Sequence, residues 1–424
     1  MADDFDFYVG IDLASAKHQV CVVNRTGKVV GELAFEHSGP GLTAFTRWLD
    51  KLTGGATVGH VAIAAEMPRG LIVESIMERG YSVFSINPKQ LDRFRDRHTV
   101  AGAKDDRRDA FVLADSLRTD QPLFRRLARE SADIIRLREL SRLEDDLIQD
   151  HGRLINQLRE QLHRYFPQLL QLSTAAEEPW LWDLIEIAPV PAAARKLTRG
   201  RIERLLKQHR IRRLTADEVM TAVRVPAVNL APGTTEAASE HALLLLPRLR
   251  LIRKQRLETA TRMETVLDEL AATGFGRNDS GPERPSDVTV LRSLPGVGRI
   301  VAATLLSEAS QTIADRDYAA LRSYAGAAPV TRQSGNKKTV VMRQGCNNRL
   351  RNAVYHWSRV ATMSDERSRN YYTKLRARGH SHGRALRALA DRWLKALVAM
   401  LKTHECFDPA KWNSCLICPE TSAL

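Results

Sequence analysis

Near residue 118 the chain changes character: before it, short strand-like runs alternate with amphipathic helices, and after it nearly every signal is helical. Strands repeat with a period of two and helices with one of 3.6, so the chain is expected to build an α/β domain followed by all-α structure. Segments 7–14, 18–24 and 29–37 are apolar runs separated by turn residues, which predicts a three-stranded meander. A helix at 42–52, a buried strand at 61–67, a helix at 71–80 closed by Gly80 and a strand at 81–88 follow, giving the order βββαβαβα once the next helix is counted. From about 109 to 172 the pattern is predicted to be wholly helical, with Leu137, Leu140, Leu143, Leu147, Leu154, Leu158 and Leu162 at three- and four-residue steps. A second long helix at about 241–272 could pair with it antiparallel as a coiled-coil arm, with a proline-punctuated subdomain inserted at about 173–240. The expected domains are 1–118, a helical arm at 119–273, a polar linker at 274–287 and a mostly helical region at 288–424. That last region reads as helix, Gly-rich turn and helix over 291–309, a loop around Gln333–Lys338, and helices at about 347–364, 366–379 and 382–403.

With 43% hydrophobic and 27% charged residues, and no apolar run approaching the ~20 residues that span a bilayer, the expectation is a soluble protein without membrane contact. The acidic opening MADDFDFYV lacks the form of a secretory signal, which makes a cytoplasmic location the expectation. Five cysteines are an odd number and too sparse for a disulfide framework. The net charge of +14 makes a polyanion the first partner to consider. Between Arg332 and Lys402 there are 17 Lys or Arg against three acids, Asp365, Glu366 and Asp391, a concentration that favours phosphate binding over a merely solvated face.

Four acids could carry chemistry. Asp12 ends the first strand and Glu66 closes the buried strand 61–67; alone, either could simply cap a strand end. Asp106 and Asp109, in Lys104-Asp105-Asp106-Arg107-Arg108-Asp109-Ala110, open a helix three residues apart and face the same way, although acids in a first turn ordinarily answer the helix dipole. The order βββαβαβα is that of a ribonuclease H-like domain, in which the first and fourth strand ends and a following helix converge. Carboxylates gathered there repel unless divalent cations neutralise them, and oxygen ligands suit Mg²⁺ or Mn²⁺. Two such ions can activate a nucleophile and stabilise a leaving oxygen in phosphodiester cleavage.

In this spacing the acids resemble those of the DEDD transposases of the insertion-sequence family numbered one hundred and ten, relatives of RuvC-type Holliday-junction resolvases. Leu294-Pro295-Gly296-Val297-Gly298, Tyr324-Ala325-Gly326-Ala327-Ala328-Pro329, Gln333-Ser334-Gly335 and Asn347-Asn348-Arg349-Leu350-Arg351 resemble that family's C-terminal transposase domain. The resemblance covers most of the chain except about 173–240. It implies a RuvC-like N-terminal domain and a recombinase that cuts and rejoins DNA under the guidance of a bridge RNA, with Mg²⁺ at Asp12, Glu66, Asp106 and Asp109 and with Ser334 as nucleophile. Asp105 blurs the assignment of Asp106, because the family commonly has a neutral residue at the position of Asp105, and the acidic doublet leaves Asp105 as an alternative ligand. On the residues alone, Gln333-Ser334-Gly335 is an ordinary turn, and a serine hydroxyl needs a metal or base nearby to attack. Arg332, Lys337, Lys338 and Arg343, with Arg349 and Arg351 beyond them, are expected to bind nucleic-acid phosphates. The arm makes a homo-oligomer the expected assembly, a dimer or tetramer, and the resemblance implies that Ser334 and the acids meet from separate protomers.

Other readings compete. A binding-only protein would leave the four acids without purpose, and an actin- or sugar-kinase-like ATPase would need a phosphate loop and a second such domain. A RuvC-like Holliday-junction nuclease explains the acids but not the C-terminal half, whereas a site-specific DNA invertase explains both. The Pro295–Gly298 turn could bring backbone N–H groups to a phosphate, or could merely join two helices. Cys415 and Cys418 with His404 and Cys406 give a weak zinc pattern. Leu386, Leu389, Ala390, Trp393, Leu397 and Met400 share one face of the last helix and are expected to pack in a core.

Overall fold

The computed structural model describes residues 5–55, 58–98, 105–226, 230–276, 284–335 and 337–410, and the chain divides into two compact units, 1–130 and 131–424. The first is a mixed sheet with helices on both faces. Its strands are β1 (Phe7–Asp12), β2 (Lys17–Asn24), β3 (Val29–Glu36), β4 (Val61–Ala65), β5 (Ser82–Ser85) and β6 (Arg125–Arg126), in the order β3-β2-β1-β4-β5-β6. β1 to β3 form the expected antiparallel meander; β4 runs parallel to β1, with Ile11 opposite Ala65, and β5 runs parallel to β4.

Every residue of β4 is buried, as a strand covered on both faces requires. On one face α1 (Gly39–Leu52) and α2 (Leu71–Glu78) set Phe45, Leu49, Ile72 and Ile76 against Val9, Ile11 and Ile63. On the other, α4 (Asp106–Asp120) sets Val112, Leu113 and Leu117 beside Tyr8, Ala62 and Ala64. Gly10 decides how closely α4 can lie on β1. A Cβ at this position would stand 2.0 Å from the Ala110 carbonyl oxygen and 2.6 Å from the Ala114 amide nitrogen.

Two expectations fail in this unit. The stretch 109–172 is not continuously helical: α4 stops at Asp120, Pro122 lies in the short turn Gln121–Leu123, and β6 adds an antiparallel edge strand beside β5. The boundary therefore falls at 130 rather than 118. A further helix, α3 (Pro88–His98), occupies a stretch too polar to show a clear apolar period in sequence.

The second unit is mostly helical. Two long helices, α5 (Ala132–Tyr165) and α11 (Thr234–Ala272), lie antiparallel, as the pairs Arg136–Glu269 and Arg256–Glu144, 3.4 and 3.3 Å apart, and the packing of Leu158 beside Leu245 show. Between them the chain folds α6 (Gln168–Leu172), α7 (Pro179–Ile187), α8 (Pro191–Ala194), α9 (Arg199–Gln208) and α10 (Ala216–Arg224) around Trp180, Trp182 and Leu205. The C-terminal helices are α12 (Asp287–Ser293), α13 (Arg299–Glu308), α14 (Ser310–Ala314), α15 (Tyr318–Tyr324), α16 (Asn348–Ser364), α17 (Glu366–Ala377) and α18 (His382–Thr403). They close over Trp357 and Trp393, and the α18 face expected to pack in a core does so.

The expected linker 274–287 does not separate two bodies. Its ends are fastened together: Asp287 N–H donates to the Phe275 carbonyl at 3.0 Å, and Arg316 grips Asp287 at 2.6 and 2.8 Å and the Gly276 carbonyl at 3.0 Å. The expected loop around Gln333–Lys338 is a hairpin of β7 (Val330–Ser334) and β8 (Lys337–Val341). Among the described residues no helix is long and apolar enough to cross a membrane.

The close approach at Gly10 gives a direct test. Gly10→Val must push α4 away from β1, and overpacking of this kind costs about 3 kcal/mol or more. Chemical denaturation of the variant should show that loss; a variant as stable as the parent would mean that α4 does not seat on β1 as described.

Candidate active site

Parallel neighbours β1 and β4 end side by side, so Asp12 and Glu66, each at the carboxyl end of its strand, emerge at one edge of the sheet. The third contribution comes from α4, whose seat on Gly10 brings its first turn, with Asp106 and Asp109, toward that edge. Asp105 stands just ahead of that turn. Its carboxylate caps α4 by accepting from Arg107 N–H at 3.2 Å, while the helix begins at Asp106.

Electrostatics register this convergence. The Asp12 carboxyl is pushed up to about 6, first by burial and then by the negative charges of Asp109, Asp106 and Glu66, with Arg95 opposing. Asp109 is nearly fully buried and is held in a bidentate ion pair, Arg95 Nε to Oδ1 at 2.7 Å and Nη2 to Oδ2 at 2.8 Å. Arg95 also reaches Asp92 at 2.6 Å. This arginine, on the unforeseen α3, escaped the sequence reading; Leu91 and Phe94 at helical spacing were its available signal. Among the described residues no three His, Cys, Asp or Glu side chains are gathered closely enough to hold one ion. The donor chemistry nevertheless fits a hard cation: four carboxylates share one sheet edge, and the guanidinium on Asp109 supplies a single positive charge among them.

The remaining candidates lie in the second unit. Ser334 ends β7 opposite Lys337, and Gln333 stands opposite Lys338, joined through a turn with Gly335 at φ +54°. Because side chains alternate along a strand, Arg332, Ser334 and Lys337 share one face of the hairpin and Lys338 takes the other. All four are exposed. Arg343 donates to the Ala328 carbonyl at 3.4 Å, and Arg349 is committed to Asp145 and Asp146 on α5 at 2.6 and 3.5 Å. Arg351 lies against Gly326 and Cys346, its Nη1 3.9 Å from the Cys346 sulfur.

At the Pro295–Gly298 turn, Gly296 has φ +81° and packs on α16, where a Cβ would stand 2.8 Å from the Ala361 amide nitrogen. Gly298 is open on its side and caps α13. Of the zinc pattern, Cys415 and Cys418 lie outside the described residues, and Cys406 is a free, exposed thiol.

Comparisons with known proteins match two segments, the first of which runs past the unit boundary at 130 and includes α5. A sequence profile described as a transposase, the DEDD type of IS110, matches residues 9–167, and one described as "Transposase IS116/IS110/IS902 family" matches residues 288–373. The putative transposase y4uE of Sinorhizobium fredii is 46% identical over 216 residues, 51% of this chain and 60% of that protein. The mini-circle putative transposase for IS117 of Streptomyces coelicolor is 30% identical over 419 residues, 96% of each chain. The uncharacterized 42 kDa protein of insertion element IS900 from Mycobacterium paratuberculosis is 26% identical over 420 residues, 95% of this chain and 97% of the relative. A DEDD domain followed by this C-terminal domain defines a transposase, a DNA-cutting and rejoining enzyme. The chain belongs to the IS116/IS110/IS902 family of transposases.

The titration of Asp12 is open to measurement in chelator. The folded protein keeps this carboxyl protonated up to about pH 6 whereas the unfolded chain releases the proton near 3.8, so stability falls as pH rises between those values and is level above them. Asp12→Asn should therefore melt above the parent at pH 7 to 8, with the gain vanishing near pH 4. A difference independent of pH would remove Asp12 as its source.

Proposed function

We propose that Asp12, Glu66, Asp106 and Asp109 form the divalent-metal centre, Mg²⁺ or Mn²⁺, of a ribonuclease H-like cleavage domain, and that Ser334 is the covalent nucleophile of the strand transfer. The observation that carries the first part is geometric: parallel β1 and β4 end side by side with Asp12 and Glu66 beside the first turn of α4, and the half-buried Asp12 carboxyl is pushed up by burial and by the charges of the other three acids. When bound, divalent ions supply charge neutralisation and Lewis acidity at phosphodiester oxygens. Asp12 and Glu66 offer oxygens from rigid strand ends, Asp106 from the first turn of α4, and Asp109 once Arg95 releases it. Until then Arg95 is the resident counter-charge that keeps Asp109 buried in the fold.

For Ser334, the exposed tip of the hairpin suits a group that must reach a DNA strand, and Arg332 and Lys337 on the same face suit phosphates passing it. Attack by Ser334 Oγ on phosphorus forms a serine–phosphate ester as the bond to the departing deoxyribose oxygen breaks, and that oxygen takes up a proton. Attack by the hydroxyl of a second strand reverses the exchange, so rejoining needs no outside energy. The resemblance to bridge-RNA-guided recombinases supports guidance by such an RNA, and family membership favours transposition over site-specific inversion. The α5–α11 pair is read as a coiled-coil arm that joins protomers, a role that suits its exposed Leu143, Leu244, Leu251 and Leu257. A dimer or tetramer would let Ser334 of one chain serve the acids of another.

Trapping the protein on nicked DNA tests both halves. Asp12→Asn and Glu66→Gln should lose metal-dependent cleavage, by at least a hundredfold, while retaining DNA binding, and Asp105→Asn should remain active because asparagine also caps a helix. The parent should yield a DNA adduct at Ser334 and Ser334→Ala none, and mixing Ser334→Ala with Asp12→Asn should restore some adduct if protomers share the site. Strand exchange at the parental rate by Ser334→Ala would leave the acids as a hydrolytic centre and remove the serine mechanism.

A further inference from the structure

The subdomain between the two long helices lies outside both matched segments, 9–167 and 288–373, and holds a second concentration of positive charge. From Arg195 to Arg213 the chain carries nine Lys or Arg and one acid, Glu203. Internal partners account for four of the nine. Arg199 pairs with Glu203 at 2.8 Å and Asp217 at 3.3 Å, Arg213 with Glu178 and the Leu172 carbonyl, Arg204 with the Gly200 carbonyl at 3.2 Å, and Arg195 with the Val225 carbonyl at 3.5 Å. Among the described residues, Lys196, Arg201, Lys207, Arg210 and Arg212 have no ion pair or hydrogen-bond partner from a side chain.

Three of these five converge. Lys207, Arg210 and Arg212 line an open concavity of about 460 Å³ with the apolar side chains of Ile211 and Leu214 and with Glu203, whose charge Arg199 already answers. The backbone enforces the arrangement. Helix α9 ends with Ile211 N–H donating to the Leu206 carbonyl at 2.9 Å and Arg210 N–H to the Lys207 carbonyl at 3.1 Å, which places Arg210 at φ +54°. Glycine adopts that conformation freely, whereas arginine does so against its Cβ. A helix C-terminus attracts one nearby cation, which accounts for Lys207. It gives no reason for Arg210 and Arg212 to crowd the same hollow, where like charges repel.

We propose that this concavity is a phosphate-binding surface for duplex DNA, a second hold on the substrate far along the chain from the Ser334 hairpin. Charge complementarity selects the occupant: the cations are exposed, the hollow opens to solvent, and duplex DNA is the polyanion on which a transposase acts. The proposal rests on family membership and not on the metal centre or on Ser334.

The experiment uses the full chain and a fluorescent duplex of about 30 base pairs, with anisotropy read across 50 to 200 mM salt. Replacing Lys207, Arg210 and Arg212 together by Gln should weaken binding at least tenfold at the low-salt end. The slope of log affinity against log salt should fall by about two to three, near 0.9 for each phosphate no longer neutralised. Arg210→Gly keeps the charge change with a backbone suited to the turn, so it should melt with the parent and still lower the slope by about one. Parental affinity and slope in both variants would overturn the proposal. So would a loss seen with an RNA of equal length but absent with DNA, since that would assign the surface to a different strand. Should the parent show no metal-dependent cleavage, the metal-centre reading would fail while this binding measurement stands unaffected.

Discussion

The first unit depends on one interaction, the seat of α4 on β1 at Gly10. Strand β1 pairs with β2 on one side and β4 on the other, so its position is set by hydrogen bonds, and α4 can reach it only where no side chain intervenes. A helix held at that distance carries its first turn to the end of the strand, and residues nearly a hundred positions from Asp12 in sequence become its neighbours. Displacing the helix by the width of one methyl group would leave the sheet intact and separate the acids.

Bringing acids together creates an electrostatic problem that the fold answers only in part. Burial and three neighbouring negative charges raise Asp12, while Asp109, the most buried of the set, lies in the two-pronged grip of Arg95. The arrangement tolerates its own repulsion because one positive side chain sits inside it. An additional counter-charge is what a divalent ion or a metal-bound phosphate would bring, and the same repulsion that destabilises the metal-free site would then strengthen binding.

The second unit handles charge differently. Several arginines of the C-terminal region are spent on structure: Arg349 ties α16 to α5, Arg316 fastens Asp287, and Arg322 grips Asp391 at 2.8 Å. Others face solvent, among them Arg332, Lys337 and Lys338 on the hairpin that carries Ser334 and, outside that region, Lys207, Arg210 and Arg212 around the hollow at the end of α9. Net charge alone does not distinguish the two populations, since an arginine locked to an aspartate and one free to meet a phosphate count alike in a sum.

Local signals in the sequence determined the meander, the alternation of strand and helix, the two long helices and the family motifs, because periodicity and turn residues act over a few positions. They also placed Asp12 and Glu66 at strand ends. What they could not decide was set by packing between distant segments. Pro122 and a two-residue edge strand interrupt the span expected to be wholly helical, ahead of the leucine-spaced part that does form one helix, and the polar α3, which buries Leu91 and Phe94, brought Arg95 to Asp109. Capping geometry separated Asp105 from Asp106, which as neighbours in a run of charges look interchangeable. The linker proved to be tied at both ends, and the loop around Ser334 became a hairpin whose register puts Lys337 beside the serine and Lys338 behind it. Each of these outcomes depends on which groups meet across the fold, and sequence spacing carries that information only when the meeting partners lie within a turn or two of one another.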